Sequence, residues 1–251
     1  GGITPRCTEL AALLYTPIVD QVVPLSSPEA GEMAKMVENS FRFVNISFIN
    51  EVAILCDRMG IDVWEVINAA STKPFAFLPH YPGPGVGGHC IPIVPFYLEA
   101  TAREYGLAGK MVEAAGRVNE EMPAFVVDKL TRLLAERGKR LTNASILLLG
   151  VAYKPNLRDT RESPALRILD LLVEKGASVA YHDPYVDSVA LKGKMLNSLD
   201  LASISPGEFD CALLLTAHDG VDYEGIAERV DLIFDTRNHL SGLRVGTVVQ
   251  L

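Results

Sequence analysis

Cys90 closes the string Tyr81-Pro82-Gly83-Pro84-Gly85-Val86-Gly87-Gly88-His89-Cys90. Glycines there let backbone approach a ligand closely, and prolines fix the chain without side-chain packing. A cysteine so placed stands like a nucleophile, and it works as one only when a nearby cation, dipole or base deprotonates it. His89 is adjacent in sequence, but adjacent side chains often point apart. The competing reading is an inert thiol, since free cysteine is among the most buried residue types. Lys35 and Asn39 lie four apart, hence on one helical face that Arg42 continues. A cation and an amide presented together can hold an oxyanion or polarise a water. A solvated face with Glu32 and Glu38 as partners fits the same spacing, and spacing alone favours it.

A third candidate runs from Gly150 through Tyr153-Lys154-Pro155 and Arg158-Asp159-Thr160-Arg161 to Ser163-Pro164. It follows an apolar run and leads into a helical pattern, the position where open α/β sheets take phosphorylated ligands. Lys154, Arg158 and Arg161 are cations suited to phosphates; the alternative is a surface loop in which Asp159 pairs with Arg161. Asp183, in Tyr181-His182-Asp183-Pro184, fits a ribose contact or a turn before proline equally well. Arg237, in Asp235-Thr236-Arg237-Asn238, is a similarly open candidate for a cofactor contact.

The elements that must position these residues divide the chain in two. Pro5–Thr16 reads as a helix ended by Pro17, and Asp20–Leu25 as a short strand. Ser26-Ser27-Pro28-Glu29 is a helix start with a Ser cap, a first-turn proline and an acid at the positive dipole end. Met33, Val37, Phe41, Val44, Phe48, Val52, Leu55 and Met59 then form one apolar stripe until Gly60 stops the helix. A helix this long is expected to pack on several partners or to cross a subunit boundary. Further helices are expected at Ile61–Ala70, Phe96–Tyr105 and Ala108–Arg137, the last interrupted or bent near Pro123. Beyond residue 140 the period changes. Ser145–Leu149, Pro164–Lys175 and Ala177–Tyr181 form a βαβ unit, and Cys211–Leu215 and Leu232–Phe234 add buried strands around a helix at Tyr223–Arg229. Val245–Val249 reads as an edge strand. The expected class is α/β: a helical domain over residues 1–140, then a doubly wound, Rossmann-like α/β domain over 141–251.

The chain has 251 residues, 49% of them hydrophobic and 22% charged, with formal charge −8. Disordered and collagen-like classes are excluded, and the acidic balance opposes sequence-independent attraction to nucleic acid or anionic membrane. No apolar run approaches the ~20 residues of a membrane span. Cys7, Cys56, Cys90 and Cys211 are scattered without a C-x-x-C pair, which suggests no zinc ribbon and a reducing, cytoplasmic compartment. Gly1-Gly2-Ile3-Thr4-Pro5 has no Met and no signal-peptide core, so the chain is expected to be part of something longer.

Three separated strings resemble, in order and approximate spacing, the UDP-glucose/GDP-mannose dehydrogenase family: Glu32-Met33-Ala34-Lys35-Met36-Val37-Glu38-Asn39, Pro82 through Pro92 around Cys90, and Gly150-Val151-Ala152-Tyr153-Lys154-Pro155 through Arg161-Glu162-Ser163-Pro164-Ala165. The resemblance covers the family's helical central domain and its C-terminal nucleotide-sugar-binding domain. It implies an oxidation of a sugar C6 alcohol to a carboxylate by two NAD-dependent hydride transfers, with Cys90 as the nucleophile that carries the thioester. Lys35 and Asn39 match the polar pair that steadies charge on the C6 oxygen and positions water. Lys154 and Arg161 match positions that hold the diphosphate or its surroundings, and the backbone of Tyr81, Gly83, Gly85, Gly87 and Gly88 matches the loop around the sugar. The long helix matches the family's homodimerisation core. The run Thr72-Lys73-Pro74-Phe75 most resembles members that oxidise UDP-N-acetylglucosamine, with UDP-glucose and GDP-mannose as alternatives. By the same resemblance NAD is held mainly by an N-terminal domain that precedes this chain, so the chain alone is expected to be inactive. Val94 stands where the family usually has Asp, four residues after the cysteine. An aliphatic side chain accepts no proton, which keeps a non-catalytic nucleotide-sugar-binding or dimerisation module as the rival reading.

Overall fold

The computed structural model describes residues 1–243 and 247–251. Its first half is helical: α1 (Pro5–Tyr15), α2 (Pro28–Met59), α3 (Val63–Ser71), α4 (Val94–Glu104) and α5 (Lys110–Ala135). The capping signals act as their chemistry predicts. Ser27 accepts from the Ala30 N–H at 3.2 Å with Pro28 at the first helical position, and Gly60 ends α2 at φ 70°, the left-handed conformation that glycine adopts without a Cβ clash. Asp62 accepts from the Trp64 N–H at 2.8 Å and opens α3. Pro123 does not interrupt α5, which runs unbroken through it. Residues 20–25 form no strand: they carry no regular structure, are largely exposed and pair with no strand among the described residues.

The second half holds β1 (Ser145–Leu149), α6 (Pro164–Glu174), β2 (Ser178–His182), β3 (Ser188–Leu191), β4 (Lys194–Asn197), β5 (Cys211–Leu214), α7 (Tyr223–Ala227), β6 (Leu232–Asp235) and β7 (Thr247–Gln250). Five strands make one parallel sheet in the order β2-β1-β5-β6-β7. The expected edge strand is present from Thr247, while Val245 lies outside the described residues. The order turns around between β1 and β5, so the crevice at their carboxyl ends is the topological switch point where such sheets bind ligands. An antiparallel hairpin, β3–β4, is an addition to the expected elements. It turns on Lys192 and Gly193, both at positive φ, and a two-residue Lys-Gly turn is its only local signal.

Alternation along β1 serves both layers. Ile146 and Leu148 pack in the larger core with Met122, Val126 and Leu130 of α5 and Ile168 and Leu172 of α6. Leu147 and Leu149 pack on the other side with Ile226, Val230 and Ile233. Helix α5 therefore ties the halves together, since it also lies against α2, where Asp57 pairs with Lys129 at 2.9 Å and with Arg132. The α2 stripe behaves differently from an ordinary core face: Met33, Val37, Phe41, Phe48, Leu55 and Met59 are exposed, whereas Asn39, Ser40, Phe43, Ser47 and Asn50 are buried.

At the end of β1, Gly150 sits at φ 80°, and a Cβ there would lie 2.1 Å from the Thr216 carbonyl oxygen. Gly150→Ala must shift that backbone, and we expect it to lower stability by about 1–3 kcal/mol in urea unfolding, with the slope unchanged.

Candidate active site

The loop from Tyr81 to Ile93 lies across the carboxyl ends of the strands because its glycines accept close backbone approach. A Cβ on Gly87 would fall 2.7 Å from the Glu162 carbonyl oxygen and 2.8 Å from Tyr153 Cβ, and one on Gly88 2.8 Å from Tyr153 Cε2. The Gly88 N–H donates to the Arg161 carbonyl at 3.0 Å. On the helical side the Asn50 side chain accepts from the Gly83 N–H at 2.9 Å, and Asn119 of α5 accepts from the Val86 N–H at 2.7 Å. Gly85, at φ 125°, rests on Pro164 at the start of α6. Each contact requires a bare Cα or a buried amide, so the loop is held by backbone chemistry rather than by its own side chains.

This docking leaves two adjoining clefts. The first, about 220 Å³, is lined by Lys35, Asn39, Arg42, Gly87, Gly88, His89, Cys90, Tyr153 and Lys154. It unites the three residues proposed for chemistry, and Cys90 is exposed in it. Asn39 is only 1% exposed, and its Nδ2 finds no hydrogen-bond partner among the described residues. A buried donor left open in a cleft wall suits an acceptor on a bound molecule. Lys35 Nζ lies 2.8 Å from Glu38 Oε2, and Arg42 lies 3.3 Å from the other carboxylate oxygen. The solvated-face pairing thus exists alongside the cleft.

The second cleft, about 260 Å³, is lined by Asn50, Tyr81, Gly83, Gly85 and Arg237, with Arg42, Gly87, Tyr153 and Lys154 shared. Tyr81 stacks on Trp64 of α3 with 6.1 Å between ring centroids. Arg237 follows β6. Its Nε donates to the Leu215 carbonyl at 2.7 Å, and its Nη1 lies 2.5 Å from where a Cβ on Gly83 would be. Burial lowers its pKa to about 10, with Asp235 opposing that shift, so it is still cationic at neutral pH. Asp235 itself is spent on the Arg237 and Leu240 N–H groups.

Arg161 is placed otherwise than expected. Its guanidinium is bound to Asp159, whose carboxyl those hydrogen bonds hold down to about 2, and it lines neither cleft. What Arg161 offers the site is its carbonyl, to Gly88. Arg158 is likewise drawn off to Asp187 at 2.8 Å. Asp183 is 3% exposed and accepts from the Val151 and Ala152 N–H groups and from His218, so it is a structural acceptor with no face for a ribose. Sequence reasoning does not single out Asn50, Asn119 or His218. The available signal is the set of polar residues Asn39, Ser47 and Asn50, which recur on one face of α2 opposite its apolar stripe.

Gly83, Gly85 and Gly88 also reproduce the spacing of a dinucleotide fingerprint. No strand leads into them among the described residues, and the next helix begins only at Val94, so the strand, turn and helix that give the fingerprint its chemistry are not assembled there.

Family models match both halves: the UDP-glucose/GDP-mannose dehydrogenase family central domain over residues 29–121, and the UDP binding domain of the same family over residues 147–242. The chain is 34% identical to a UDP-N-acetyl-D-mannosamine dehydrogenase of Methanococcus maripaludis, over 100% of this chain and 58% of that protein. It is 33% identical to an NDP-N-acetyl-D-galactosaminuronic acid dehydrogenase of Ralstonia nicotianae, over 98% and 56%. Among solved structures it superposes on the UDP-D-ManNAc dehydrogenase of Pyrococcus horikoshii with TM-score 0.84 and 32% identity, over 100% of this chain and 58% of that one. The chain thus spans little more than half the length of the curated relatives it matches.

The exposures separate the thiols. Cys7 and Cys90 are expected to alkylate with iodoacetamide in the folded chain, while Cys56 and Cys211 stay protected until it unfolds; burial pushes Cys211 up to about 12. Peptide mass mapping reads the pattern.

Proposed function

The chain belongs to the UDP-glucose/GDP-mannose dehydrogenase family, and from that membership we propose that it forms the substrate-holding, thiol-bearing part of an NAD-dependent nucleotide-sugar 6-dehydrogenase. The observation that carries this reading is the convergence of Lys154 and Arg237 on one cleft, next to the cleft that holds Cys90, Lys35 and Asn39. Two cations from the ends of different strands suit a diphosphate, and Tyr81 with the bare backbone of Gly83 and Gly85 borders the path from it toward the thiol. Arg237 takes the phosphate role, with Lys154, that the resemblance offers to Arg161.

At the reacting end, Cys90 in its thiolate form adds through Sγ to the C6 carbon of an aldehyde, the C=O π bond opens, and the carbonyl oxygen takes up the negative charge the sulfur gives up. Lys35 Nζ and Asn39 Nδ2 are the donors that meet this oxygen, and their charge and fixed position lower the cost of forming it. NAD would accept the hydrides in such a reaction. The described residues do not fit it: they offer no strand, glycine turn and helix in succession, and the turn after β1 reads Gly150-Val151-Ala152-Tyr153. No step of this chain's chemistry runs through it.

For substrate, the names of the relatives favour UDP-linked 2-acetamido sugars, with UDP-N-acetylmannosamine ahead of the UDP-N-acetylglucosamine suggested by Thr72-Lys73-Pro74-Phe75. Phe75 of that run is 85% exposed, and none of its four residues lines either cleft. A second reading, a nucleotide-sugar-binding module without chemistry, is favoured by Val94. It opens α4 with its N–H donating to the Cys90 carbonyl at 2.8 Å, and its isopropyl side chain brings no carboxylate to that position. We take the exposed α2 stripe as the surface of a homodimer, since six large apolar side chains on one face, Met33, Val37, Phe41, Phe48, Leu55 and Met59, stay exposed in the single chain.

Calorimetric titration with UDP tests the binding reading: Lys154→Ala and Arg237→Ala should each weaken UDP about tenfold or more. UDP-N-acetylmannosamine, UDP-N-acetylglucosamine and UDP-glucose should rank in that order. No binding of UDP by the unaltered chain would sink the reading, whereas steady NADH formation by the chain with NAD would show that its residues do fit the cofactor. Sedimentation should give a dimer that Phe48→Glu converts to monomer.

A further inference from the structure

Lys154 reaches the cleft from a loop of no regular structure, and a lysine on a free loop would be a poor anchor for a diphosphate. The carboxylate of Asp183 and the imidazole of His218 lie beneath that loop, their side chains 0% and 1% exposed, with Nε2 3.1 Å from Oδ2. Asp183 comes from the end of β2 and His218 from the segment after β5, so the pair brackets β1, from whose carboxyl end the loop emerges.

Every acceptor of the pair is used on backbone of this region. Asp183 Oδ2 takes the N–H groups of Val151 and Ala152 at 2.8 and 3.0 Å, and Oδ1 those of Tyr185 and Val186 at 2.9 and 3.1 Å. His218 Nδ1 faces the Asn156 N–H at 3.0 Å. An amide N–H only donates, so Nδ1 is the acceptor and Nε2 carries the proton toward Asp183, which fixes a neutral imidazole in one tautomer. Burial opposes the charge on Asp183, but His218 and the amide donors outweigh it and keep the carboxyl below its usual range. The loop is thus pinned at Val151 and Ala152 on one side of Lys154 and at Asn156 on the other, while Lys154 itself faces the cleft. Thr216 adds a bond to the Ala152 carbonyl at 2.7 Å, and Asn156 and Asp219 exchange two more.

We propose that Asp183 and His218 are positioning residues for nucleotide-sugar binding: a buried acid–imidazole latch that clamps residues 151–156 on both sides of Lys154 and so presents its ammonium to the diphosphate. This rests on the reading that Lys154 meets that diphosphate. Neither residue touches the ligand; their effect passes through the loop. A structural role alone would cost stability throughout the chain, whereas a latch loosens one loop and weakens one ligand.

The test compares the unaltered chain with His218→Phe, which fills the space without an acceptor or donor, and His218→Asn, whose Oδ1 can stand near the place of Nδ1. Amide exchange is followed by mass spectrometry and UDP affinity by calorimetry. The latch predicts that His218→Phe speeds exchange across 151–156 and weakens UDP, each by about tenfold or more, with strand β6 still protected. His218→Asn should recover much of both. If His218→Phe fails to fold, His218→Asn decides by its residual defect: its smaller amide should still speed exchange at 151–156 and weaken UDP, each by about twofold, against Ser198→Ala, whose hydroxyl bonds the Asp183 backbone N–H and carbonyl and not its carboxylate, as the control that leaves both unchanged. Unchanged exchange at 151–156, or a loosened loop with unchanged UDP affinity, would overturn the proposal, as would losses spread evenly through the sheet. An unaltered chain that binds no UDP would instead defeat the reading of Lys154 as a diphosphate ligand, and the exchange data would still judge the latch.

Discussion

Both clefts depend on one steric constraint: the backbone at Gly87 and Gly88 lies so close to Tyr153 and to the segment before α6 that a single Cβ would collide. Because that approach is possible, the thiol of the helical half and the lysine of the sheet half come to share one wall. Glycine has a conformational cost in the unfolded chain, and the loop recovers order through amide contacts to Asn50, Asn119 and Arg161. Proline assists by removing freedom and donors where no partner waits.

Helix α2 buries a mixed face and exposes an apolar stripe. Asn39, Ser40, Ser47 and Asn50 are buried beside Phe43, Ile49, Ala53 and Cys56, with Asn50 supplying the cysteine loop a buried acceptor, while the large apolar residues of the stripe face outward. The Nδ2 atoms of Asn39 and Asn50, both without a partner among the described residues, lie on the inward side, one in each cleft, so the face that holds the loop through Asn50 also leaves donors for a ligand. Helix α5 fixes the relation between the halves by burying one set of side chains on the sheet and approaching α2 with another.

The electrostatics are local. A chain of net charge −8 has little long-range attraction for an anion, yet Lys35, Arg42, Lys154 and Arg237 gather around the two clefts. Other cations are sorted away from them: Arg158 and Arg161, close in sequence to Lys154, are drawn off by Asp187 and Asp159. A carboxylate partner does not by itself take a cation out of the site, since Lys35 and Arg42 line a cleft while paired with Glu38; what differs is where the fold places each cation.

Local chemistry is legible from the residues alone. The Ser27-Pro28 start and Gly60 stop of α2, the four apolar residues of β1 and the βαβ order depend on caps and periodicity within a few residues, and these elements stand where the sequence places them. The motifs around Lys35, Cys90 and Lys154 are also visible in it, as is the family they resemble. Their meeting in one cleft is not, since it depends on contacts between residues far apart in the chain, such as Asn50 with Gly83 and Glu162 with Gly87. Sequence likewise leaves Asp183 open between ribose and turn, and Arg161 between phosphate and Asp159. Tertiary structure decides both, because whether a polar side chain is free for a ligand depends on which donors and acceptors packing sets beside it.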